Sequence, residues 1–125
     1  MTTRTRRRAR LGRRGEDYAA QLYRRRGGEV IGRNVSFPVG ELDLIIREPD
    51  ATTVFVEVKT RSGRSYGGAE AVTGRKLARM RRAAAHWLEG RPWTAVRFDV
   101  VELTARRGGP GFEVELYEGV EHGAR

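Results

Sequence analysis

The sequence predicts an α/β domain: a mixed β-sheet of about five strands flanked by helices, in the order α-β-β-β-α-β-β. Three observations lead there. Two stretches carry apolar residues at helical spacing. Five shorter ones are β-branched or alternate in polarity. The links between the first three strands are short, which suits an antiparallel meander. At 125 residues the chain fits one domain with its own core. It divides into a basic, disordered arm over 1–10, a single domain over 11–118 and a polar tail over 119–125.

The arm holds five arginines between Met1 and Arg10 and is expected to meet phosphates. From about Leu11 to Arg26, Leu11, Gly15, Tyr18 and Leu22 form one helical stripe with Glu16 on its flank, and Gly27-Gly28 ends the helix. Val30 to Ser36 is a first strand, Glu41 to Ile46 a second, and the run Val54-Phe55-Val56-Glu57-Val58-Lys59 a third. Turns at Phe37–Gly40 and Pro49–Ala51 join them. A loop rich in Gly, Ser and Arg follows over Thr60–Val72. Thr73 then caps a second helix that runs to about Glu89, with Leu77, Met80, Ala84, Trp87 and Leu88 inward. Ala95 to Leu103 and Phe112 to Tyr117 alternate as the last two strands, with Val96, Phe98 and Val100 on one side of the first and Phe112, Val114 and Leu116 inward on the second.

Composition narrows the chemistry. There is no cysteine, so neither a disulfide nor a thiolate zinc site exists, and with two histidines, His86 and His122, a metal would have to be held by oxygen. That suits Mg²⁺ or Mn²⁺. No apolar run is long enough to span a bilayer, and the Arg-rich start has no apolar segment behind it, so a cytoplasmic protein is expected. The net charge of +9 favours a polyanionic partner such as DNA; a lineage that prefers Arg to Lys is the plainer explanation.

The third strand places Glu57 and Lys59 on one face and Val54, Val56 and Val58 on the other. In the second strand Leu42, Leu44 and Ile46 share one face; Glu41, Asp43 and Ile45 share the other. A carboxylate and an amine on a central strand are costly unless something occupies them. If the two strands pair, Asp43 comes close to Glu57 and Lys59. Phosphodiester hydrolysis needs charge neutralised on the phosphate and an activated water, and carboxylate-held Mg²⁺ does both. Asp43 and Glu57 are the candidate ligands, with the Val58 carbonyl completing the protein's share. Lys59, about 6–7 Å further along the strand, would orient the water or neutralise charge. Glu16 would reach a second metal or its water; its plainer reading is a first-turn acid favoured by the helix dipole. Arg61, Arg64 and Tyr66 in the loop, with Arg75, Lys76, Arg79 and Arg82 on the second helix, are candidate nucleic-acid contacts, although a solvated face explains charge runs equally well. Neither histidine has the neighbours of a Ser/His/Asp hydrolase, and no phosphate-binding Gly-rich loop with Lys-Ser or Lys-Thr is present.

Several blocks in order resemble the UPF0102 family: Gly15-Glu16 with Ala19, Arg33-Asn34, Gly40-Glu41-Leu42-Asp43-Leu44-Ile45, Phe55 through Arg61, Glu70-Ala71-Val72-Thr73 with Lys76, and Arg97 through Val101. The resemblance implies a restriction-endonuclease-like fold related to archaeal Holliday junction resolvases, with a PD-(D/E)xK core. Asp43 matches its aspartate, Glu57-Val58-Lys59 its (D/E)xK, and Glu16 the helix acid of the resolvase branch. Leu42 stands where a proline often precedes the aspartate, Gly74 where a proline is common, and Leu77 where a polar residue is frequent. The function expected is a metal-dependent DNA endonuclease acting on branched DNA, as a homodimer because two cuts need two sites. The alternative is a nucleic-acid-binding protein without catalysis, a scaffold in recombination, repair or DNA uptake.

Overall fold

The computed structural model describes residues 2–62 and 74–120. Its elements run α1 (Thr3–Arg25), β1 (Glu29–Phe37), β2 (Gly40–Arg47), β3 (Thr53–Arg61), α2 (Gly74–Leu88), β4 (Val96–Ala105) and β5 (Phe112–Tyr117). The order is the one the sequence predicts. The strands form one sheet in the spatial order β1-β2-β3-β4-β5. Every neighbouring pair is antiparallel except β3 and β4, which are parallel. A parallel pair needs a crossover, and α2 lies in that connection.

Each helix covers one face of the sheet. Ala19, Ala20 and Tyr23 of α1 pack on Leu44, Ile46, Val54, Val56, Val101, Leu103 and Phe112. On the other face Leu77, Met80, Ala83 and Ala84 of α2 pack on Ile45, Phe55 and Val100. Phe55 is fully buried and stacks on Phe98 at 5.6 Å, so its burial alone is worth roughly 1.5–3 kcal/mol. Leu42 departs from the expected alternation: it joins the α2 cluster rather than the Leu44 and Ile46 side. The β2–β3 ladder ends at Leu44↔Val56, while the start of β2 stays paired with β1 through Val35↔Leu42 and Ser36↔Glu41.

Two further expectations are corrected. The first helix starts at Thr3 rather than Leu11, so the segment read as a disordered arm forms its opening turns. Thr2 caps it, its hydroxyl accepting from Thr5 N–H at 3.1 Å. Leu116, expected inward, is exposed on edge strand β5. The expected cap Thr73 lies outside the described residues. Gly27-Gly28 ends α1 as expected. Gly27 takes a left-handed φ of 89°, and Gly28 N–H returns to Tyr23 C=O at 2.8 Å. No helix among the described residues is long and apolar enough to cross a membrane.

Candidate functional site

Two glycines bring the helices to the place where β2 and β3 part. A Cβ on Gly15 of α1 would overlap the Thr60 side chain at the end of β3, so only glycine lets α1 lie this close. A Cβ on Gly40 would come within 3.2 Å of the Arg79 carbonyl, so the start of β2 runs hard against α2. Between them opens a hollow of about 270 Å³ lined by Glu41, Asp43, Glu57, Lys76, Arg79 and Met80, with Gly40 at its edge.

Asp43 and Glu57 meet here. They occupy the positions that would come next in the ladder after Leu44↔Val56. Two carboxylates directly opposite each other repel, and the ladder stops before them. Instead, Val58 N–H donates to Asp43 Oδ2 at 2.9 Å, so a side chain takes the bond that a strand would otherwise supply. Burial pushes Asp43 upward, the charge of Glu57 adds to it, and Glu16 and Glu41 add further. The Val58 N–H opposes them, and the carboxyl stands at about 7. Glu57 is 8% exposed. Its Oε2 meets Lys76 Nζ at 2.7 Å.

The other expected site residues distribute as follows. Glu16 is half-buried. It accepts from Asn34 Nδ2 at 3.1 Å and lies 3.7 Å from Arg33, and its charge reaches Asp43. Asn34 holds a left-handed φ of 50°, which asparagine tolerates better than most residues. Lys59 lies two residues beyond Glu57 on the same strand, half-buried and engaged. Val58 lies between the two, with its N–H already committed to Asp43. Arg61 pairs with Glu102 at 3.6 Å. Arg79 lines the hollow, whereas Arg75 and Arg82 are exposed elsewhere on α2. Arg64 and Tyr66 lie outside the described residues.

Sequence reasoning placed Lys76 among the nucleic-acid contacts; the structure puts it on Glu57. It also missed a polar network on the α1 face. There Tyr23 Oη donates to Asp99 at 2.7 Å, and Arg97 bonds both Asp99 and Glu48 at 2.9 Å. The residues are far apart in the chain, and the one signal was a charged pair, Arg97 and Asp99, within an apolar strand.

The donor set of the hollow, two facing carboxylates of which Asp43 is pushed upward, suits a hard divalent cation. Among the described residues, however, no three acidic or histidine side chains converge as a ready-made cage. Asp43 and Glu57 would hold such an ion, and Lys76 occupies one of their oxygens.

Comparison with known proteins places the chain among relatives of similar length. Residues 15–103 match the family described as "Uncharacterised protein family UPF0102". A UPF0102 protein of Corynebacterium efficiens is 54% identical over 115 residues, covering 92% of this chain and 94% of the relative. One of Frankia casuarinae is 50% identical over 103 residues, covering 80% and 86%. One of Nocardia farcinica is 48% identical over 101 residues, covering 78% and 79%. The matched span contains Glu16, Asp43, Glu57, Lys59 and Lys76, and the chain belongs to the UPF0102 family.

Proposed function

We propose that this protein is a Mg²⁺- or Mn²⁺-dependent DNA endonuclease that acts in the cytoplasm, as a homodimer, on branched DNA. The observation that carries the reading is the meeting of Asp43 and Glu57 at the parted ends of β2 and β3, with Asp43 pushed up to about 7. Crowding acids in a half-buried hollow costs stability, and a site that binds a cation recovers that cost.

The ion, when bound between these carboxylates, would neutralise charge on the scissile phosphate. The chain's own residues do the rest. The Val58 N–H fixes the orientation of Asp43. Asn34 and Arg33 hold Glu16 where its charge reaches Asp43, and from there it would take a proton from an attacking water. Lys59 supplies positive charge beside Glu57 as the phosphate becomes more negative. Arg79 at the mouth meets the flanking phosphate. Lys76 holds Glu57 until the incoming phosphate offers its ammonium a second anion.

The test is incubation of purified protein with labelled flap, four-way and linear DNA in Mn²⁺. Cleavage is expected, and Asp43→Ala or Lys59→Ala should lower it by at least about 100-fold. Cleavage that survives both changes would sink the site assignment. The second reading, a nucleic-acid-binding protein without catalysis, is favoured by the Lys76–Glu57 ion pair and by the lack of a three-acid cage among the described residues. It predicts salt-dependent DNA binding, unchanged in Asp43→Ala, and no turnover with any metal.

A further inference from the structure

We propose that the cleft between the opening turns of α1 and the end of β3 is a track for a single polynucleotide strand, which it grips by the backbone beside Glu16 and Val58. The inference rests on the nucleic-acid reading above and adds the substrate's form: DNA with an unpaired segment, such as a flap, an overhang or an opened branch.

The cleft has a volume of about 590 Å³. One wall is a single face of α1, because Arg4, Arg7 and Arg8 recur at the spacing that stacks side chains along a helix, with Leu11 and Gly12 next in the same stripe. Three like charges on one face repel one another until a polyanion arrives. Arg4, Arg7 and Arg8 are exposed, and none of them makes an ion pair among the described residues. The other wall is Thr60, Arg61 and Ser62, where the Arg61 charge is shared with Glu102. The positive charge is therefore concentrated on the helix side.

Shape and lining select the ligand. The cleft lies between one helix and one strand end with its unpaired arginines along one wall only, which matches one row of phosphates rather than the two of a duplex. Among the described residues no Phe, Tyr or Trp lines it, so none of these offers bases a stacking platform. Recognition is then electrostatic and independent of base sequence. Gly12 leaves open space beside the chain, with nothing within 4 Å of where a Cβ would stand.

The cleft and the hollow share no lining residue, but two residues of the cleft act on Asp43. Glu16 and Val58 both line the cleft. Glu16 also acts on Asp43 by its charge, and Val58 binds Asp43 through its N–H. A strand lying along the arginines therefore passes the residues that border the acidic pair.

The experiment measures binding of fluorescein-labelled twelve-residue oligothymidylate, and of a blunt duplex of equal length, by anisotropy over a salt series in EDTA. The proteins are the full-length chain and the variant Arg4→Gln/Arg7→Gln/Arg8→Gln. Circular dichroism and a thermal melt check folding, and Arg7→Glu serves as a second variant should the triple one melt early. The variant is expected to bind the single strand at least about tenfold more weakly at about 0.1 M salt. Its slope of log K against log salt should be shallower by about 2, from three lost contacts at about 0.7 each. The duplex should lose less. An unchanged single-strand affinity and slope, an equal loss for duplex and single strand, or no oligothymidylate binding by the unaltered protein would overturn the track. Mn²⁺-dependent cleavage by the unaltered protein is scored separately. Cleavage with unchanged variant binding rejects the track and keeps the nuclease; binding lost as expected without any cleavage rejects the nuclease and keeps the track.

Discussion

Buried acids occupy both faces of this sheet, and they are accommodated in opposite ways. On the α1 face, Asp99 is fully buried yet accepts from Tyr23, from two nitrogens of Arg97 and from Gly119 N–H, at 2.7–3.1 Å. Glu48 beside it takes Arg26 at 2.7 Å and Arg97 at 2.9 Å. Burial and Asp99 push the Tyr23 hydroxyl far upward, so it stays a donor. Asp99 and Glu48 hold Arg97 charged, and Glu118 with Glu48 does the same for Arg26. On the α2 face, Asp43 meets Glu57 beside the hollow, and the charges of Glu57, Glu16 and Glu41 add to its burial. One set is a closed structural joint that ties the end of α1 to β4. The other stores repulsion beside a hollow. The difference teaches which acids are there for the fold and which await a ligand.

The largest expected effect breaks the first set. Asp99→Ala leaves the buried Tyr23 hydroxyl without its acceptor and takes one carboxylate from Arg97, which keeps Glu48, and should cost about 3 kcal/mol in urea unfolding. A loss under about 1 kcal/mol would mean the joint is not structural.

The next effect has the opposite sign. Asp43 is raised above the unfolded carboxyl's usual value of about 3.9. Between about pH 4 and 7 the folded chain therefore holds more protons than the unfolded one, and stability falls as pH rises through that window. Without metal, Asp43→Asn should stabilise the protein by on the order of 2 kcal/mol at pH 8, because it removes the charge and keeps an acceptor for Val58 N–H. At pH 4 the gain should vanish. Equal effects at both pH values would show that Asp43 is not under charge strain.

The smallest effect sharpens the contrast. Lys76 is 38% exposed and half-solvated, so its hold on Glu57 is weak. Lys76→Ala should tighten Mn²⁺ binding only about two- to fivefold by calorimetry, and a weakening would make Lys76 part of the site.

The sheet and its helices were legible because apolar spacing records burial. The alternation through Leu44 and Ile46 and the run from Val54 to Val58 mark inner strands, and Leu77, Met80 and Ala84 mark the inner face of α2. Asp43 and Glu57 were legible as acids out of place in such strands. The start of α1 was not, because Arg4 to Arg10 has no apolar spacing and its helicity follows from the Thr2 cap and continuation into a packed helix. Nor was the Tyr23–Asp99 bond, which joins positions 76 residues apart. Lys76 was read by its charge alone; only the packing of α2 on β3 reveals its partner.

The central claim is that Asp43 and Glu57 together form a cation site, and calorimetric titration of Mn²⁺ at pH 8 tests it most directly. The account predicts saturable binding at submillimolar metal by the unaltered protein and its loss in Asp43→Asn. No heat up to millimolar Mn²⁺, or binding unchanged in Asp43→Asn, would contradict it.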